Sequence, residues 1–454
     1  MDKDRTHTMR TPFLPLFGLL LLSLGMACSR NSFEGQVIAV ETLRTGDGGA
    51  SSRLVAIDPD GKGKAPVVLT EGFADALAPA LSHDAGTLYF QGKKNEGDAW
   101  KIWGMDLTKR KTWQVTFEET DCRYPVSMPD GTVVFSRYAA AGNDSRAELW
   151  KTGNDTAHFT QLTYNRGLNV AGTILKEGRI LCLTSGNDAT GKNPVFMVMR
   201  PDGTKAELYH ACEGDAFPVT TGREVGPQHV YFINNHGQLA RLDHHRPLHT
   251  GEVIAPALEG TFLGVTAGTE ESESGESLWV TYRNGQGETG LYRFNAREAG
   301  LEDQPLATGM ELGDILLVKA VDPRPRILPS EVDVTKPTAI LMSQDINHSR
   351  LPAREGIADT VATRIRISGA EGILGETVAK ADGSFYVKLD ADTPFRIETL
   401  NEAGETVRGP SSWLYLRPSE RRACVGCHAD QELAPENVQP LAVKEDPVMM
   451  LSNK

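Results

Sequence analysis

Towards the C-terminal end of the 454-residue chain stands Cys424-Val425-Gly426-Cys427-His428, two thiols three positions apart with an imidazole directly after them. Each thiol can add to one vinyl group of a haem, and the adjacent histidine then lies beneath the iron as its proximal ligand. The spacing predicts one covalently attached haem c, with Cys424 and Cys427 as attachment points and His428 on the iron. Two other readings use the same residues: a disulfide between the two cysteines, or half of a zinc site. Zinc needs a second ligand pair close by, and the next cysteine upstream is Cys212. The sixth iron position stays open among His348, Met342, Met449, Met450 and no protein ligand at all. Trp413, Tyr415 and Leu416 are expected to wall the group, and Arg417, Arg421 and Arg422 to face its propionates.

Such a group is attached outside the cytoplasm, and the other end of the chain carries the matching signal. Lys3, Arg5 and Arg10 precede an apolar run from Phe13 to Ala27. Fifteen helical residues span about 22 Å, short of the roughly 30 Å hydrocarbon core of a bilayer, so the run reads as a signal peptide over residues 1–27. It ends in Leu24-Gly25-Met26-Ala27-Cys28, which resembles a bacterial lipobox with Leu24 one step early. Cys28 is the expected lipidation site, against the alternative of a plain secretory signal cut nearby. Either way, the protein is expected in the periplasm or cell envelope, held to the membrane through an N-terminal lipid. Cys122, Cys182 and Cys212 are then left over, an odd number whose pairing the spacing does not define.

Composition bounds the rest. Hydrophobic residues at 40% and charged ones at 24% describe a globular protein, neither disordered nor multi-spanning. A net charge of −13, without any basic run, argues against nucleic acid and against electrostatic docking on anionic lipid.

The elements that must position the motif are strands. Val37-Ile38-Ala39-Val40, Leu88-Tyr89-Phe90, Val133-Val134-Phe135, Ile180-Leu181-Cys182, Val230-Tyr231-Phe232 and Leu278-Trp279-Val280 recur at spacings of 50, 45, 47, 50 and 48 residues. That period, with several strands per unit, predicts an all-β, six-bladed β-propeller over 36–323. Asp58-Pro59-Asp60-Gly61, Pro129-Asp130-Gly131 and Pro201-Asp202-Gly203 supply turns, because proline presets φ and glycine accepts a positive one. Units close on an apolar-Thr pair: Leu69-Thr70, Val115-Thr116, Leu162-Thr163. The unit from Ala80 to Leu107 resembles the WD40-like repeat of TolB-type propellers. A Pro-rich linker over 324–336 follows, then 337–410, where short alternating strands such as Thr363-Arg364-Ile365-Arg366-Ile367 predict a small β-sandwich. Residues 411–454 form the haem segment, with at most one short helix after His428.

Asp382-Gly383-Ser384-Phe385, Ala391-Asp392-Thr393-Pro394, Ser412-Trp413 and Leu416-Arg417-Pro418-Ser419-Glu420-Arg421, followed by Cys424-Val425-Gly426-Cys427-His428, resemble the middle domain of the hydrazine synthase alpha subunit and its relatives. The order of propeller, sandwich and haem motif agrees. The resemblance implies that Cys424 and Cys427 bind a c-type haem with His428. The synthase subunit continues into a further haem domain, and this chain ends with a single such motif, so hydrazine synthesis is not expected. The leading expectation is a monohaem c-type cytochrome in electron transfer, its propeller docking a redox partner protein. One alternative is a haem enzyme acting on a small nitrogen or oxygen compound. Another is a TolB-like binding propeller with an accessory haem. A propeller-capped hydrolase is excluded, because no Gly-x-Ser-x-Gly elbow follows.

Overall fold

The computed structural model describes residues 33–452, except 45, 47, 61–63, 140–145, 154–157, 186–192, 269–276, 350–351, 427–431 and 434–437. The expected signal peptide, Cys28, Cys427 and His428 lie outside the described residues. Among them the regular structure is all strand apart from one short 3-10 turn, Leu441–Lys444.

The repeat strands read from the sequence are the second strands of successive antiparallel arrays: Val37–Arg44, Thr87–Lys93, Val133–Tyr138, Ile180–Ser185, His229–Ile233 and Ser277–Asn284. The array holding Val37–Arg44 takes its first strand from the far end of the repeat region. Glu311–Leu317 pairs with it antiparallel, Val37 facing Leu317 and Glu41 facing Leu312. This closes the propeller and removes two sheet edges that would otherwise expose unpaired backbone groups. Aromatic and branched residues of the repeat strands, among them Phe90, Phe135, Phe232 and Trp279, are fully buried between arrays. Each contributes about 2–3 kcal/mol relative to exposure.

The apolar-Thr pairs have a defined job. The buried hydroxyls of Thr70, Thr116 and Thr163 accept the backbone N–H groups of Leu54, Ile102 and Leu149 at 2.9–3.0 Å. Each satisfies a donor on the third strand of its array at a point where the sheet offers no carbonyl. The Asp-Gly turns are braced in a shared way: Asp130 Oδ1 and Asp202 Oδ1 accept both the N–H and the hydroxyl of the threonine two residues on.

Two four-stranded sheets make the sandwich. One runs Arg421–Gly426, Thr338–Asp345, Phe385–Asp390, Val448–Met450; the other runs Ile373–Val378, Arg364–Gly369, Phe395–Leu400, Thr406–Arg408. Leu341, Ile365, Ile367, Phe385, Val387, Leu389, Phe395 and Met450 fill the space between them. The segment beyond 410 therefore supplies two strands of this sandwich, both added parallel to their neighbours. Neither announces itself by alternation: Arg421-Arg422-Ala423-Cys424 lacks the apolar-polar period of a half-buried strand.

Candidate functional site

The first motif cysteine sits on an edge strand. Arg421–Gly426 pairs with Thr338–Asp345, placing Cys424 opposite Ser343 and Gly426 opposite Asp345. The Cys424 thiol is free and packs against the sandwich core. Burial pushes its pKa up; Arg422 opposes this and Glu207 of the propeller adds to it. At the end of the strand, Gly426 presses on the loop after Asp345, where a side chain would run into the His348 carbonyl. Beyond the motif, the Glu432 carboxylate accepts the Leu248 N–H at 2.6 Å, with Arg246 Nε and His249 Nε2 at 3.7 and 3.8 Å. Before the masked residues the strand end at Gly426 thus lies against the 346–349 loop of the sandwich, and after them Glu432 lies against the propeller loop 243–250.

Cys424 fits a thioether role: a free thiol near the end of an edge strand, held as the protonated form and partly accessible. Cys122, Cys182 and Cys212 are free thiols too, and no disulfide joins the described cysteines. Burial pushes Cys182 to about 12, as expected for an inert core residue. No group of three His, Cys, Asp or Glu side chains among the described residues could hold a metal ion.

The residues expected to wall the group and hold its propionates have other tasks. Tyr415 is buried and donates to the Gly203 carbonyl at 3.1 Å, its ring 5.8 Å from that of Tyr164. Arg417, 4% exposed, donates to the Gln161 carbonyl at 2.8 Å, pairs with Asp392 at 3.0 Å and lies over Tyr164. Arg422 pairs with the buried Glu420 at 2.8 Å. Trp413 is flanked by the guanidinium groups of Arg166 and Arg396. Leu416 belongs to the sandwich core, and Arg421 alone of the three arginines is exposed. The run from Trp413 to Arg422 is therefore the seam between propeller and sandwich. An arginine buried with a carbonyl and a carboxylate partner is committed there by the cost of leaving its charge unpaired.

The linker is bound as well. Asp202 Oδ2 accepts the Glu331 N–H at 2.6 Å and faces the Ser330 hydroxyl at 3.1 Å, while Arg200 donates to the Pro329 carbonyl at 2.6 Å. Of the expected sixth ligands, Met450 is buried in the sandwich core and Met449 is 55% exposed. Met342 is half-buried beside Ala423, and His348 is exposed. Glu432 was not singled out from the sequence, and Glu420 entered only as part of the resembling run Leu416–Arg421, with no role assigned to it.

A closed propeller joined to a β-sandwich whose edge strand carries the first motif cysteine is the class that fold and site define. Residues 326–429 match the family described as hydrazine synthase alpha subunit middle domain. The hydrazine synthase subunit alpha of Kuenenia stuttgartiensis is 37% identical over 57 residues, 13% of this chain and 7% of that relative. The solved hydrazine synthase of the same organism superposes with a TM-score of 0.75 at 18% identity, over 90% of this chain and 71% of that one. TolB from Acinetobacter baumannii aligns over 62% of this chain and 66% of its own, at 15% identity and a TM-score of 0.46. The resemblance to the synthase subunit is borne out, and so is the all-β architecture with a propeller.

Proposed function

We propose that this chain is an exported monohaem c-type cytochrome acting in electron transfer, with one haem c bonded to Cys424 and Cys427 and His428 as proximal iron ligand. One observation carries the reading: the stretch matched to the synthase middle domain, 326–429, runs through the whole Cys424–His428 motif. The bound group would supply reversible one-electron chemistry at iron. The chain's own residues hold the frame. Glu420 and Arg422 fix the strand bearing Cys424, Gly426 brings its end against the 346–349 loop, and Glu432 pins the chain beyond His428 to the propeller. The sandwich core packs against the Cys424 side.

The propeller is the docking platform for a redox partner protein in this reading. Residues 1–27 direct export, and lipidation at Cys28 tethers the protein in the periplasm or cell envelope. Its net charge of −13 leaves that lipid as the membrane contact.

The second reading is a haem enzyme acting on a small nitrogen or oxygen compound, favoured by the 37% identity to a hydrazine synthase subunit. Stopped-flow mixing of the reduced holoprotein with nitric oxide, hydroxylamine or hydrazine separates the two. An electron carrier leaves these compounds unconverted and is reoxidised only by electron acceptors. Catalytic consumption of any of them puts the enzyme reading first.

A further inference from the structure

Where the propeller closes, a cleft of about 890 Å³ lies between the closing array and the array before it. Its lining comes from three places: Arg44 at the end of the first strand, the hairpin from Arg283 to Tyr292, and Pro305 with the run that enters the closing strand at Glu311. Register brings the charged groups together. Thr42 faces Glu311, so the Arg44 side chain reaches back to the Glu311 carboxylate, and Arg283 faces Thr289 in the neighbouring array.

Arg44 donates to both oxygens of Glu311 at 2.7 Å, and Arg283 donates to the same carboxylate at 3.2 Å. The bonds from Arg44 hold the Glu311 carboxyl below its usual range, so it is ionised. One carboxylate cannot neutralise two guanidinium groups. These bonds, with a longer one of 3.4 Å from Arg283 Nε to the Thr289 hydroxyl, use fewer than half of the N–H donors that the two groups carry. Glu288, the other acidic residue of the lining, is engaged by the Asn284 amide at 3.1 Å. The positive excess is therefore local to the two arginines, in a chain whose net charge is −13.

Beside them the lining is apolar, with Tyr292, Pro305 and Met310. Gly290 sets this wall. A Cβ there would lie 2.9 Å from the Tyr292 ring and 3.2 Å from Pro305, so its absence lets ring and proline approach each other. Tyr282 meets the Tyr292 ring edge-on at 6.1 Å and fixes its tilt.

We propose that this cleft binds a small organic carboxylate with an apolar or aromatic body, the carboxylate on Arg44 and Arg283 and the body against Tyr292, Pro305 and Met310. The site belongs to the propeller and does not rest on the haem reading. Arg44 already grips Glu311 through two parallel bonds, the arrangement in which a guanidinium matches a carboxylate. A ligand carboxylate shares the two groups with Glu311 through their unused donors. The volume lies within the range of small-molecule sites, about 300–1,000 Å³, and exceeds what a bare anion fills.

The test is isothermal titration calorimetry on the full chain with three probes. N-acetylphenylalanine carries a carboxylate on an aromatic body, its amide carries the same body without the charge, and inorganic phosphate is a bare anion. The acid is expected to bind saturably at one site and to raise the melting temperature, because Arg44 and Glu311 stand on the two strands that close the propeller. The amide and phosphate bind about tenfold more weakly or not at all. Arg44→Gln and Arg283→Gln each weaken the acid about tenfold; Arg44 is 71% exposed, so its variant is expected to fold. Glu311→Gln removes the competing carboxylate and tightens the acid severalfold, which a merely structural ion cluster would not produce. The proposal is overturned by an acid that does not bind, by an amide or phosphate that matches it, by arginine variants that bind as the wild type does, or by a Glu311→Gln that binds no more tightly. The titration reads the propeller whether or not haem is attached, so failure of the haem reading and failure of this one are separate results.

Discussion

Glu420 accepts the backbone N–H of Lys205 at 2.9 Å, joining the strand that carries Cys424 to a turn of the propeller more than two hundred residues away. The same carboxylate accepts the Arg417 N–H at 2.8 Å and pairs with Arg422, and its side chain is wholly buried. One acidic group thus sets the position of the edge strand, of the chain turn before it and of the propeller turn after Asp202.

Removing that carboxylate strands its partners. Glu420→Ala leaves Arg422, the buried Arg417 N–H and the part-buried Lys205 N–H without their acceptor, and is expected to cost about 3–5 kcal/mol in urea unfolding. Glu420→Gln keeps one acceptor oxygen and costs less. A loss below about 1 kcal/mol for the alanine variant contradicts the role assigned to the seam.

Tyr415 contributes through both its hydroxyl and its ring. Tyr415→Phe removes the bond to the Gly203 carbonyl and is expected to lower stability by about 1 kcal/mol. Tyr415→Ala also empties a buried site beside Tyr164, for about 3–5 kcal/mol. Equal effects of the two variants in thermal unfolding argue against this division.

Gly426 is expected to be irreplaceable. Alanine at this position meets the His348 carbonyl and displaces the strand end from which the motif continues. Gly426→Ala should reduce the yield of covalently attached haem severalfold on haem-stained denaturing gels, at equal protein load. Ala423→Ser, on the exposed face of the strand, should leave the yield unchanged.

A pH dependence follows from Glu148. Burial raises its carboxyl to about 7, opposed by the Thr163 hydroxyl, which donates to it at 2.6 Å. A carboxyl whose pKa is raised by folding adds stability below its unfolded value, near 4.5, and loses that contribution as pH rises through about 7. Relative to Glu148→Gln, the wild type should therefore lose about 2–3 kcal/mol between pH 5 and pH 8 in urea unfolding. Parallel stability curves for the two proteins contradict it.

The repeat was readable because its period is local: each second strand is a short apolar run, and each Asp-Gly turn and apolar-Thr pair recurs with it. Closure by Glu311–Leu317 was not, since pairing across the whole repeat region leaves no mark on either strand. The seam was misread for a related reason. Arg417 and Arg422 stand next to the motif in sequence, and arginines there suit propionates, but the partners of a buried charge are chosen by tertiary structure. Gln161, Asp392 and Glu420 claim them first.

The most direct test of the central claim is the intact mass of the denatured full chain, produced with haem-maturation machinery, beside Cys424→Ala with Cys427→Ala. The account predicts a wild-type mass increased by one haem and a double variant without it. A wild type at the mass of the polypeptide alone contradicts the account and leaves a propeller–sandwich protein without a redox centre.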